Sequence, residues 1–202
     1  VDADHGYGNA LSVKRTVEEL ETAGVSALTI EDTRLPKTYS NEKTTALLSL
    51  EEGVGKMKAA LEGRSDNSLI ITARTSAFSV TNDEDALVRA KAYEAAGVDA
   101  LFFAGISTRA QIELLNASIS IPIFIAPKGN EVMDLTYLAD KGVKICLQSH
   151  QPFSASVQAI YTTLKALREG TTPSNIKSIA SNELMKEVTR SEEYERLTKG
   201  YL

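Results

Sequence analysis

Ala23-Gly24-Val25-Ser26-Ala27-Leu28-Thr29-Ile30-Glu31 returns in altered form as Ala96-Gly97-Val98-Asp99-Ala100-Leu101-Phe102-Phe103-Ala104. A looser copy runs Lys141-Gly142-Val143-Lys144-Ile145-Cys146-Leu147-Gln148. Each copy follows a helix-like stretch, and each glycine suits the left-handed position that ends a helix. The short apolar run after each glycine fits a buried parallel strand. Leu69 to Ala73 and Ile121 to Ala126 are further buried-strand candidates without the Gly-Val opening. With Val1 to Asp4, six strands emerge. Helical stretches separate them at Val13 to Thr22, Leu50 to Glu62, Glu84 to Ala95, Arg109 to Leu115 and Val132 to Asp140.

Alternating strands and crossover helices predict an α/β protein with a parallel sheet covered on both faces. An open doubly wound sheet and a (β/α)8 TIM-type barrel both satisfy that pattern. A nucleotide-binding open sheet requires a glycine-rich phosphate loop, and Gly6-Tyr7-Gly8 completes neither common version. Polar residues instead recur at the C-terminal ends of successive strands: Asp4, Glu31, Arg74 and His150. Barrel enzymes build their sites there. A barrel needs eight strands and typically about 250 residues. Six strands in 202 residues therefore imply an incomplete barrel. It would hold strands three to eight, with the first two βα units, roughly 60–90 residues, missing. The catalytic barrel is expected over residues 1–170. A polar helical tail follows over 171–202, after a long helix from about Phe153 to Glu169.

Composition narrows the function. Apolar residues make up 43% and charged residues 24%, ordinary values for a globular protein. The net charge of −5 and the lack of a basic run argue against nucleic acid as a partner. No apolar run reaches the roughly 18 residues of a membrane span. The lone Cys146 excludes an internal disulfide and a cysteine-rich zinc site. A cytoplasmic setting is the simplest expectation.

Asp2 and Asp4 lie two apart, so in a strand both point to one side. With Glu31 on the neighbouring strand they form a candidate site for Mg²⁺ or Mn²⁺, hard cations that take oxygen ligands. The competing reading is that the aspartates cap the next helix or stabilise the glycine turn. Asp32 rivals Glu31, but alternation turns its side chain the other way. Gly6 in the turn is a candidate substrate contact. Arg74, directly after an apolar run, suits bidentate grip of a carboxylate; alternatively it closes a salt bridge with Glu31 or Asp32. His150 is a candidate carboxylate donor or proton shuttle, or a helix cap. His5 is a candidate for orienting the metal carboxylates. The long polar stretch Thr33 to Ser49, with Lys37, Tyr39, Asn41 and Lys43, has the length of an active-site lid, or is a solvated loop.

Taken in order, Asp2-Ala3-Asp4-His5-Gly6-Tyr7-Gly8, Ile30-Glu31-Asp32, Pro36-Lys37 and Ala73-Arg74-Thr75 resemble the isocitrate lyase and phosphoenolpyruvate mutase superfamily. The resemblance runs from Val1 to about Gly170. His5, Glu51-Glu52-Gly53-Val54-Gly55-Lys56 and the late His150 are most similar to its oxaloacetate decarboxylase branch. The resemblance implies a (β/α)8 barrel, Mg²⁺ held by Asp2, Asp4 and Glu31 largely through water, and a small α-keto acid substrate contacted by Arg74 and His150. It also implies a homotetramer that exchanges its last barrel helix.

The family's lyases carry a cysteine in the lid as acid/base, where this chain has Tyr39 after Lys37-Thr38. A phenol is a much weaker acid than a thiol, which argues against isocitrate or methylisocitrate cleavage. Decarboxylation of oxaloacetate needs no acid in its first step, and water or Tyr39 is then the candidate proton donor to carbon. The alternatives are a lyase acting on a substituted malate, a phosphonopyruvate-type enzyme, and an inactive fragment or structural subunit.

Overall fold

A computed structural model describes residues 1–35 and 45–202. Among the described residues five strands form where the apolar runs lie: β1 (Ala27–Glu31), β2 (Ile70–Thr75), β3 (Ala100–Ile106), β4 (Ile123–Pro127) and β5 (Val143–Cys146). They pair in parallel in the order β1-β2-β3-β4-β5. The N-terminal run adds to the free edge of β1 as a single parallel bridge, Asp2 to Thr29. The Ala3 amide donates to the Thr29 carbonyl at 3.1 Å, and the Thr29 amide donates to the Val1 carbonyl at 2.9 Å.

The helices between strands are α1 (Ala10–Thr22), α2 (Leu50–Gly63), the short α3 (Ala77–Val80), α4 (Asp83–Ala96), α5 (Arg109–Asn116) and α6 (Leu135–Asp140). Their ends follow local chemistry. Asn9 accepts from the amides of Leu11 and Ser12, so α1 begins before its apolar periodicity does. Ser49 and Glu52 form a reciprocal capping box on α2. Asp134 caps α6, which therefore starts at Leu135 rather than at the expected Val132. The three echo glycines, Gly24, Gly97 and Gly142, all have positive φ (83°, 99° and 80°) as each helix gives way to a strand.

Alternation divides the sheet into two faces. Leu28, Ile30, Ile71, Ala73, Leu101, Phe103, Ile123 and Ile125 are buried in one core with Val13, Val17, Met57, Ala60, Tyr93, Ile112, Leu115 and Leu138 of the helices. The other face presents Thr29, Thr72, Phe102, Phe124 and Ile145, which line a cavity of about 280 Å³. The helices of this unit thus pack on one face, not on both. Strands added in sequence order with right-handed crossovers have this consequence, because every helix then falls on the same side. A doubly wound sheet would reverse its order at a switch point; this sheet does not. The fold is α/β with a parallel sheet wound in one direction.

Val1–Ser149 forms one compact unit and His150–Leu202 a second. The second contains α7 (Gln151–Arg168), α8 (Asn182–Val188) and α9 (Ser191–Tyr201). Among the described residues no helix is long and apolar enough to cross a membrane.

Helices α1 and α2 approach closely, and a Cβ on Gly63 would stand 2.6 Å from the Lys14 carbonyl oxygen. A backbone atom cannot give way cheaply, so Gly63→Ala should cost about 1–3 kcal/mol. Urea unfolding monitored by circular dichroism measures this as a lower midpoint at unchanged slope.

Candidate active site

Parallel register sets Glu31 beside Arg74, and Arg74 beside Phe102. All three lie on the face turned away from the helices. Arg74 belongs to β2 itself, which runs on to Thr75, rather than following the strand as the sequence suggested. Its Nη1 stands 2.5 Å from Asp2 Oδ2 and its Nε stands 3.1 Å from Glu31 Oε2. The Nε–Glu31 approach is an ion pair by distance but is too poorly aligned to count as a hydrogen bond, so the buried Nε has no bonded partner. The guanidinium also lies 5.1 Å from the centroid of the Phe102 ring, within cation–π range. Bringing together Asp2, Glu31 and Arg74 realises the salt-bridge reading of Arg74, with Glu31 and not Asp32 as the strand partner.

Asp2 and Asp4 flank the fully buried Ala3, which keeps both carboxylates off the core side. Asp2 Oδ1 accepts from the Asp4 amide at 3.0 Å, so Asp2 also stabilises the turn. At Asp4 the extended run ends: its φ is 49°, and Gly6 and Tyr7 follow at 74° and 57°. The Glu31 amide donates to the Asp4 carbonyl at 2.8 Å. Gly6 gives its amide to the Ala3 carbonyl at 2.9 Å, and a Cβ there would collide with Val13. Gly6 is therefore committed to the turn. Among the described residues, no three His, Cys, Asp or Glu side chains converge as a ready-made metal cage. The donor chemistry still fits a hard cation, because Mg²⁺ needs only one or two carboxylates and keeps several waters.

Asp32 shows the alternation. It is fully buried among the helices, accepting from Tyr93 Oη at 2.7 Å and from Arg89 Nη1 at 3.1 Å. Arg89 also holds Asp85 through Nε at 2.9 Å. Burial pushes the Asp32 carboxyl up, against the pull of Tyr93 and Arg89. The same environment pushes the Tyr93 hydroxyl up, by burial first and then by the Asp32 charge. Lys56, on the buried face of α2, donates to the His5 carbonyl at 2.7 Å. The sequence alone gives no role to Arg89, Tyr93 or Phe102, and none to Lys56 beyond its place in the Glu51-to-Lys56 motif. One signal was present: Gly53, Lys56, Met57, Ala60 and Gly63 repeat at helical spacing, placing a lysine on an apolar face.

His5 keeps a buried Nδ1 without a partner. Burial first, then the nearby Lys56 charge, holds its pKa below the ordinary 6.5. His150 opens the second unit as the N-cap residue of α7, exposed and without a side-chain capping bond. Tyr39 and Lys37 lie outside the described residues. Cys146 is a free, half-buried thiol at the end of β5.

Carboxylates and an arginine gather on the open face of a singly wound parallel sheet, at its C-terminal strand ends, the end at which barrel enzymes build their sites. Residues 1–168 match the family model of phosphoenolpyruvate phosphomutase, and the chain belongs to that family. It is 51% identical over 202 residues to the oxaloacetate decarboxylase of Bradyrhizobium sp. (strain ORS 278), covering all of this chain and 70% of that protein. It is 55% identical over 193 residues to the oxaloacetate decarboxylase of Bradyrhizobium diazoefficiens, covering 96% and 67%. Among solved structures it resembles the phosphoenolpyruvate phosphomutase of Streptomyces platensis subsp. rosaceus, with a TM-score of 0.81 at 29% identity over 99% of this chain and 72% of the other. It also resembles a phosphonopyruvate hydrolase in complex with oxalate and Mg²⁺, with a TM-score of 0.78 at 27% identity, covering 99% and 71%.

Two outcomes test this geometry. Asp32→Ala leaves Arg89 with Asp85 alone and the buried Tyr93 hydroxyl without its acceptor, and should cost about 1–3 kcal/mol, as an unsatisfied buried donor does; thermal denaturation measures the loss. The lowered His5 pKa contributes stability that is intact above 6.5 and disappears as the pH falls through the folded-state value. An NMR titration should place the His5 midpoint below 6.5.

Proposed function

We propose that this protein decarboxylates oxaloacetate, or a close α-keto acid, to pyruvate and CO₂ at the end of the sheet where Asp2, Glu31 and Arg74 meet. The observation that carries the reading is the Arg74 guanidinium lying 2.5 Å from Asp2 and 3.1 Å from Glu31. The substrate follows from the names of relatives that are 51% and 55% identical.

In the reaction the C3–C4 bond breaks, the C4 carboxylate leaves as CO₂, and the electron pair passes into the C2 carbonyl to give the enolate of pyruvate. Positive charge fixed near the keto oxygen lowers this barrier most. Arg74 supplies one such charge and is held in place by two carboxylates and an aromatic face. Asp2, Asp4 and Glu31 are the residues that would hold Mg²⁺ or Mn²⁺, largely through water. When bound, the ion supplies Lewis acidity for the keto oxygen and the adjacent carboxylate. Water or Tyr39 then delivers a proton to C3, completing pyruvate. His150 is proposed to hold the departing carboxylate.

The singly wound sheet and its open face support a (β/α)8 barrel. Helix α7 carries Phe153, Val157, Ile160, Tyr161 and Leu164 exposed, at helical spacing. That apolar stripe supports exchange of this helix between the subunits of a homotetramer.

A coupled assay for pyruvate, using full-length protein with Mg²⁺ and oxaloacetate, tests the reading. Glu31→Ala and Arg74→Ala should each lower kcat/KM by at least about 100-fold, as loss of a charged group that stabilises the transition state does, and a chelator should abolish turnover. Turnover no faster than with metal alone, or full activity in Glu31→Ala, overturns it.

A further inference from the structure

Lys56 is the one lysine in the core of the first unit among the described residues, 5% exposed. Its bonded partner is the His5 carbonyl, at 2.7 Å. That carbonyl lies one residue past Asp4, in the turn where Asp4, Gly6 and Tyr7 all have positive φ. The turn is held from three directions. The Glu31 amide reaches the Asp4 carbonyl, Thr16 Oγ1 reaches the Gly6 carbonyl at 3.3 Å, and Lys56 reaches the carbonyl between them. The negative charges around the Lys56 ammonium are Glu52, Asp32 and Glu31, and of these Glu31 is the one read as holding the metal.

Lys56 is itself anchored. On the same face of α2, Gly53 lies so near Tyr93 that a Cβ there would collide with the Tyr93 hydroxyl. That hydroxyl in turn donates to Asp32, the residue after Glu31. The proposed metal carboxylates are thereby linked through Lys56 and Asp32 to the packing of α2 and α4.

We propose that Lys56 is a positioning residue for the divalent-cation site, fixing the Asp4–His5–Gly6 turn and so setting metal affinity. This rests on the reading of Asp2, Asp4 and Glu31 as metal-holding residues. The left-handed conformation is costly for residues other than glycine, and these contacts hold Asp4 and Tyr7 in it. Removing the ammonium leaves the His5 carbonyl without its buried donor and lets the turn relax.

The test is Mn²⁺ binding by isothermal titration calorimetry to the full-length protein without substrate. Lys56→Met should weaken Mn²⁺ by about 10–100-fold, the usual effect of losing a group that orients metal ligands. Under turnover its KM for metal should rise, with the KM for oxaloacetate at saturating metal little changed. Ile112→Val, which trims a buried side chain of α5 and lowers stability without touching the turn, should bind Mn²⁺ as the unaltered protein does. Lys56→Met with unaltered affinity overturns the proposal, and so does failure of both Lys56→Met and Lys56→Gln to fold, which would make Lys56 purely structural. If the unaltered protein binds Mn²⁺, Glu31→Ala loses it and Lys56→Met keeps it, only the role of Lys56 falls. If the unaltered protein binds none, the metal reading itself falls and takes the proposal with it.

Discussion

The ion pairs of Arg74 with Asp2 and Glu31 are the interaction on which the site depends. Two carboxylates at the same end of a sheet repel, and a guanidinium at 2.5 and 3.1 Å offsets that repulsion. The arrangement is a product of register. Glu31 faces Arg74 because Ala27 pairs with Ile70 and each later residue keeps step. A slip of one residue on β1 would send Glu31 among the helices and put Asp32 on the open face. What prevents the slip is apolar: Leu28 and Ile30 of β1, with Ile71 and Ala73 of β2, are buried in the core. The hydrophobic effect thereby fixes which charged residues meet.

Glu31 and Asp32 show how two adjacent carboxylates acquire different tasks. Glu31 shares Arg74 with Asp2 and stays beside the open face. Asp32 is enclosed by Arg89 and Tyr93, and burial drives its carboxyl up. The first suits chemistry with small anions, and the second suits bracing. Lys56 stands between these layers, bonded to the turn that carries Asp4. Charge at the site is thus backed by a buried polar layer rather than by solvent.

Much of the fold was legible because it is local. The Ala-Gly-Val echo marks helix end and strand start, and Gly24, Gly97 and Gly142 all take the left-handed conformation it requires. The start of α1 was hidden because Asn9 caps it ahead of the apolar period. The short α3 carries no period of its own. The site was partly legible: strand ends nominated Asp2, Asp4, Glu31 and Arg74, and alternation separated Glu31 from Asp32. The roles of Lys56, Tyr93 and Phe102 were not legible because they depend on which helix or strand lies opposite. Tyr93 reads as ordinary core until the close approach at Gly53 and the hydroxyl bond to Asp32 are seen together.

The most direct measurement is the anomalous scattering of Mn²⁺ in crystals of the full-length protein grown with oxalate. The account predicts one ion held by Asp2, Asp4 and Glu31, directly or through water, with oxalate between it and Arg74. An ion bound elsewhere, or oxalate bound away from Arg74, would contradict it.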